Sequence, residues 1–136
     1  MSLNFYEIFG MMFIHWIGDF VLQTEYEATH KSTENRALLS HTLHYTMTWI
    51  CAMFIWSVYQ NHIGHITMVQ VGWSPWVLLF FPITFVVHTI TDYFTSRLNT
   101  YLWNKKDFHN LFVSVGFDQL LHFVQLYFTY YLLKSI

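Results

Sequence analysis

Four long apolar stretches divide the chain, with three short polar segments between them. They run roughly from Leu3 to Gln23, Ala37 to Tyr59, Trp73 to Arg97 and Leu111 to Leu133. Each is close to the ~20 residues a helix needs to cross a hydrocarbon core. Only helices or closed barrels satisfy the backbone inside lipid, and these stretches are too long for barrel strands. The pattern predicts an all-α protein, an integral membrane four-helix up-down bundle forming one domain over residues 1–136. The segments Thr24 to Arg36, Gln60 to Gly72 and Asn99 to Asn110 hold turn formers and most of the remaining charge, and read as connectors. Ser32 and Thr33 are candidate N-caps for the second helix. Pro75 suits the first turn of the third helix, whereas Pro82 lies inside it and predicts a kink.

Composition points the same way. Charged residues make up 10% of the chain, apolar residues 54% and aromatics 21%, whereas soluble domains carry about 25% charged residues. Too little polar surface is available to cover such a chain in water. The net charge of -2 gives no reason to expect a nucleic-acid partner. A single cysteine, Cys51, excludes an internal disulfide and a cysteine-based metal cluster, and reads as a packing residue. The first residues lack the basic start and small-residue cleavage site of a secretory signal. The expected partner is the bilayer, in the bacterial inner membrane.

Basic residues set the expected orientation. The first connector has Lys31 and Arg36 and the third has Arg97, Lys105 and Lys106, while only Lys134 lies at the opposite side. The positive-inside rule then puts both of these connectors in the cytoplasm, with both termini outside: N-out and C-out. Trp56, Tyr59, Trp73, Trp76, Tyr130 and Tyr131 would mark the outer interface, and Tyr101 and Trp103 the inner one.

Ionisable residues within the spans change the picture from a plain anchor to a candidate site. The first span carries His15 and Asp19, with Gln23 beyond. The second carries His41 and His44, the third His88 and Asp92, the fourth Asp118, Gln119 and His122. A charge at mid-membrane costs ~2.5–3.5 kcal/mol on insertion scales, so such residues are functional candidates. Spacings of three or four residues put each pair on one helix face. In an up-down bundle all four pairs fall at one depth, in the cytoplasmic half. Gly18 and Gly116 lie beside this layer, where a missing side chain would let helices approach.

Five imidazoles and three carboxylates are enough donors for one divalent metal ion, or two sharing carboxylates. The expected ligands are His15, Asp19, His41, His44, His88, Asp92, Asp118 and His122. Zinc is favoured, with iron or manganese possible, because these donors suit several metals and no thiolate narrows the choice. Bundle cores host such carboxylate–histidine sites. Gln23, Gln119 and Gln125 are expected to orient the ligands from behind. Lys31, and Arg97 near the same end, are expected to meet an anionic substrate group; for Lys31 lipid phosphates are the alternative. Competing readings are a purely structural hydrogen-bond network, a haem with axial histidines, and a proton or ion pathway. Elsewhere, His62 and His65 read as solvated loop histidines, His30 and His109 as interfacial, and Glu7 as lying near headgroups. No zincin pair, Walker-type glycine loop or Gly-x-Ser-x-Gly elbow occurs.

The ordered set His15-Trp-Ile-Gly-Asp19-Phe20-Val-Leu-Gln23, Lys31, His41, His88-Thr-Ile-Thr-Asp92 and Asp118-Gln119-Leu-Leu-His122 covers almost the whole chain. It resembles a family of small phage and bacterial membrane proteins known as domain of unknown function 3307. The resemblance implies a membrane protein with a polar site and names no reaction. The residues themselves favour a metal-dependent hydrolase of a lipid-borne or amphipathic substrate, with Asp19 or Asp118 as general base. The alternatives are a non-enzymatic ion-binding transporter or sensor, or a phage accessory protein that binds a host membrane partner. Self-association is also open, and oxidative chemistry at two irons would use the same ligands.

Overall fold

The computed structural model describes residues 4–62 and 75–134, and these fold into five α-helices with no strand among them. They are α1 (Phe5–Trp16), α2 (Glu25–His30), α3 (Asn35–His62), α4 (Pro75–Asn104) and α5 (Phe108–Lys134). The middle of the second connector, with His65 and the expected anchor Trp73, lies outside the described residues. The four longer helices pack side by side in the cyclic order α1, α3, α4, α5, and α2 lies against α3.

Local sequence accounts for the helix ends. Asn4 caps α1: its side-chain oxygen accepts from the Glu7 amide, and the Glu7 carboxylate accepts from the Asn4 amide, each at 2.9 Å. This reciprocal pairing satisfies two amides that the first turn leaves bare. At its other end α1 does not stop but widens into a π-helical turn, Ile17–Val21, closed by the Leu22 amide on the Ile17 carbonyl at 2.9 Å. Such turns insert one residue into a helix and concentrate at functional sites. This one carries Gly18 and Asp19. A Cβ on Gly18 would stand 3.0 Å from Tyr45 Cδ2 and 3.4 Å from Thr48, so here glycine does permit close approach to α3. Gly116 does not: a Cβ there would meet nothing within 4 Å, and it lies on an open face of α5.

Two connectors differ from expectation. The first contains α2, started by the same reciprocal cap in Thr24 and Glu27. Ser32 and Thr33 do not cap the next helix; Thr33 sits in a turn on the His30 carbonyl, and α3 begins at Asn35. The third connector shrinks to a tight turn, because α4 continues to Asn104 and α5 starts at Phe108. Lys106 takes a left-handed φ of 58° there. Asp107 then caps α5, accepting from the Asn110 amide and side chain. Those bonds hold the exposed Asp107 carboxyl below its ordinary pKa. Pro75 opens α4 as expected, and Pro82 lies inside it.

The interior is inverted relative to a water-soluble domain. Among the described residues fourteen polar or charged side chains are buried, against eight apolar ones. Large apolar groups cover the outside instead, such as Phe5, Phe9 and Phe13 in a stacked row along α1, and Phe112 and Phe117 on α5. The segments Leu78–Asn104 and Phe108–Leu132 are each long and apolar enough to cross a membrane. The core helix of a soluble protein passes that test too, but mostly buried, whereas these are buried over only 22% and 28% of their most apolar windows. An apolar slab of Met11, Tyr45, Trp49, Phe80 and Leu126 joins the helices on one side of the polar layer.

Candidate metal centre

The polar residues of the four longer helices meet. His15 and Asp19 come from α1 and its π turn, His41 from α3, His88 and Asp92 from α4, Asp118 and His122 from α5, and all seven are buried. Three sets of donor atoms lie within 4.8 Å of one another: Asp19, His41, His88 and Asp92; His15, Asp19 and His122; and Asp92, Asp118 and His122. These buried histidine and aspartate groups can hold a metal ion.

The first set has the most members, four. His41 Nε2 stands 3.1 Å from Asp19 Oδ1, 3.2 Å from Asp92 Oδ2 and 3.2 Å from His88 Nε2. His88 Nε2 is 3.6 Å from Asp19 Oδ1 and 3.8 Å from Asp92 Oδ1. One ring nitrogen offers a single proton or a single lone pair, so His41 Nε2 cannot satisfy every neighbour by hydrogen bonding. Donors tetrahedrally placed around zinc at ordinary bond lengths are about 3.3 Å apart, inside the range of these edges.

His122 poses the same problem in its simplest form. Its Nδ1 is 3.0 Å from the Asp118 backbone carbonyl, which can only accept, so Nδ1 carries a proton. In the neutral ring Nε2 is then a bare lone pair. Yet Nε2 faces Asp92 Oδ1 at 3.2 Å without a hydrogen bond between them. Two electron-rich atoms held this close in a buried site call for a cation or an added proton. His88 Nδ1 and Asp118 Oδ1 also lack a hydrogen-bond partner among the described residues.

Other side chains set the tautomers. Gln23 Nε2 donates to His41 Nδ1 at 3.1 Å, which leaves the ring proton on Nε2, facing Asp19 Oδ1 at 3.1 Å. Turning the Gln23 amide over would let its oxygen accept from Nδ1 and free the Nε2 lone pair for a metal ion. His15 is committed on both edges, to the Tyr45 hydroxyl at 2.8 Å and to Gln119 Oε1 at 2.9 Å. Gln119 then donates to Asp19 Oδ2 and to Asp118 Oδ2, at 3.1 Å each. His15 thus acts on the cluster through Gln119, and its Nε2 is 3.9 Å from Asp19.

Lys31 enters the same cluster from the end of α2. Its Nζ donates to Asp92 Oδ2 at 2.9 Å and lies 3.4 Å from His41 Nε2. Burial opposes the ammonium, but the charges of Asp92 and Asp19 outweigh it and raise the Lys31 pKa.

Three expected participants stand elsewhere. His44 follows His41 by three residues, which rotates it to the flank of α3; it is half exposed, and its Nδ1 meets Glu27 Oε1 at 2.7 Å. Arg97 lies five residues past Asp92, turned to another face of α4, where it stacks on Tyr93 and donates to the Tyr93 carbonyl and to Asn35. Gln125 lies about one turn past His122 along α5 and donates to Thr84 and Thr129.

Two residues at the site were not singled out by sequence. Tyr45 lies one turn after His41; its ring stacks on His88 with centroids 3.9 Å apart, and its hydroxyl holds His15. Glu27 is buried and accepts from Ser40 at 2.7 Å as well as meeting His44. Burial raises the Glu27 pKa, but the hydrogen bonds from Ser40 and Thr24 prevail and hold it below its ordinary value. The signal for Glu27 was present: Thr24-x-x-Glu27 is a capping box ahead of a helical turn. For Tyr45 it was the four-residue spacing from His41.

A family model matches residues 8–135, nearly the whole chain, and its description is "Protein of unknown function (DUF3307)". The chain belongs to this family. No curated protein and no solved structure matches it.

Proposed function

Because the family carries no assigned activity, we propose from the site itself that the protein is a metal-dependent membrane hydrolase acting on a lipid-borne or amphipathic substrate. The observation that carries the metal is the convergence of Asp19, His41, His88 and Asp92 donor atoms with edges of 3.1–3.8 Å. The apolar exterior and polar interior support four spans in lipid, and the basic residues of the first and third connectors support both termini outside and the cluster in the cytoplasmic half. A divalent ion bound there would supply hydroxide from water at neutral pH and polarise a carbonyl or phosphoryl oxygen.

The chain's own groups divide the remaining work. Asp19 has both oxygens engaged, by His41 and by Gln119, which suits a ligand. Asp118 Oδ1 accepts no hydrogen bond among the described residues, its neighbour being His122 Nδ1 at 3.6 Å, and Asp118 is the better general base. His15 and Gln119 hold these two carboxylates in register. Lys31 is partly exposed at the cluster's edge and marks the entrance from the cytoplasmic side.

The test is metal analysis by mass spectrometry, with a visible spectrum, on the full chain purified in detergent. Zinc at a fixed ratio to protein, lost in His88→Ala, is the expected result. A Soret band, or His88→Ala retaining all bound metal, would overturn the reading.

One observation favours a second reading, ion passage. Thr84, Gln125 and Thr129 form a hydrogen-bonded line outward from the layer, with Thr84 and Thr129 buried. The line bears no charge, which weighs against a path for divalent ions. Zinc flux into liposomes that is lost in Gln125→Leu would favour it over hydrolysis.

A further inference from the structure

The three donor sets share members. Asp19 belongs to two of them, Asp92 to two and His122 to two. Geometry alone therefore leaves open whether one ion or more than one occupies the cluster. Charge distinguishes the cases, because the cluster is buried and unbalanced charge is costly there.

Asp19, Asp92 and Asp118 bring three negative charges. One divalent ion leaves a single negative charge over. With Lys31 in place one ion balances the cluster and a second would leave two positive charges over; without Lys31 the one-ion and two-ion states are each out of balance by a single charge, so charge no longer bars the second. The Lys31 ammonium lies at the cluster's edge, 2.9 Å from Asp92 Oδ2 and 3.4 Å from His41 Nε2; it takes up Asp92 Oδ2 and leaves Oδ1, which faces His88 and His122, to an ion. We propose that Lys31 is a tethered second cation of the cluster: it supplies the one positive charge a single divalent ion leaves missing, and so limits the site to one ion per chain. This rests on the metal reading above.

The fold holds this cation deliberately in place. Lys31 follows Glu27 by four residues, so both lie on one face of α2. Glu27 is anchored to α3 by Ser40 and His44, at 2.7 Å each, and to the start of α2 by Thr24. Glu27 is thus a positioning residue for Lys31. The anchor also explains the place of His44, a histidine in a polar layer that faces away from the other imidazoles.

The experiment is zinc saturation of the detergent-purified full chain, removal of free metal, and measurement of zinc per chain. The wild type should hold one ion, and Lys31→Met two, with Lys31→Arg remaining at one. Glu27→Gln, which loosens the arm without touching the cluster, should move occupancy in the same direction as Lys31→Met. It also serves if Lys31→Met fails to give a monodisperse protein. Two ions in the wild type, or one ion in both Lys31→Met and Glu27→Gln, would overturn the proposal while leaving a metal site standing. No zinc in the wild type would overturn the metal reading itself, and this inference with it.

Discussion

The polar layer and the apolar slab beside it are built from the same four helices, one or two turns apart, yet they are specified in opposite ways. In the slab, Met11, Trp49, Phe80 and Leu126 fill space, and Trp49 meets Phe80 edge-on with centroids 5.3 Å apart. Such contacts are non-directional and tolerate exchange when volume is kept. In the layer most polar atoms have assigned partners, and removing one of those partners leaves a further buried polar group unpaired. Tyr45 belongs to both regions: its ring packs beside Trp49 and His88, and its hydroxyl fixes His15. The slab sets how far apart the helices stand, and the layer sets what they can hold.

The comparison predicts a separation of effects. Phe80→Ala should cost about 3–5 kcal/mol of stability, as for large aromatic truncations in packed cores, read as a lowered unfolding midpoint in detergent. Zinc per folded chain should not change; a parallel loss would mean the two regions are not separable. Gln23→Leu should do the reverse. It removes the group that orients His41, and should weaken zinc binding by about 10–100-fold, as loss of an outer partner typically does, while the unfolding midpoint without metal moves little. The smallest effect concerns the anchor of α2. The folded pKa of Glu27 lies below its ordinary 4.5, so its contribution to stability is full above about pH 4.5 and is lost as pH falls through the lower, folded value. Glu27→Gln should flatten the acid limb of the stability profile, and an unchanged limb would remove Glu27 from the account.

The composition of the site was legible because polar residues are conspicuous in apolar stretches. His15, Asp19, His41, His88, Asp92, Asp118 and His122 all meet, and helical spacing was enough to bring them to one depth. Spacing fixes a face only coarsely. His44 and Arg97 share helices with cluster residues but sit about a sixth to more than a third of a turn around the axis, and only packing shows which side of that line they fall. The first connector hid α2 because six residues give too short a run for periodicity to register, although its capping pair was in view. The third connector read as Asn99 to Asn110, longer than the turn of Lys105 to Asp107 that joins α4 to α5, because polar residues at helix ends look like loop residues. The π turn left no mark at all, since its residues would serve equally well in an ordinary helix.

That turn makes the register of the first helix a matter of residue count rather than residue type. Deleting one residue between Ile17 and Val21 would restore regular winding, and everything before the deletion would swing by about 100° around the axis. His15 would leave Tyr45 and Gln119, and the stacked phenylalanines would turn toward a neighbouring helix, while the chain from Gln23 onward kept its sequence and its contacts. A single-codon deletion here would therefore act as a rotation of one wall of the chamber, a change that no substitution in the same segment reproduces.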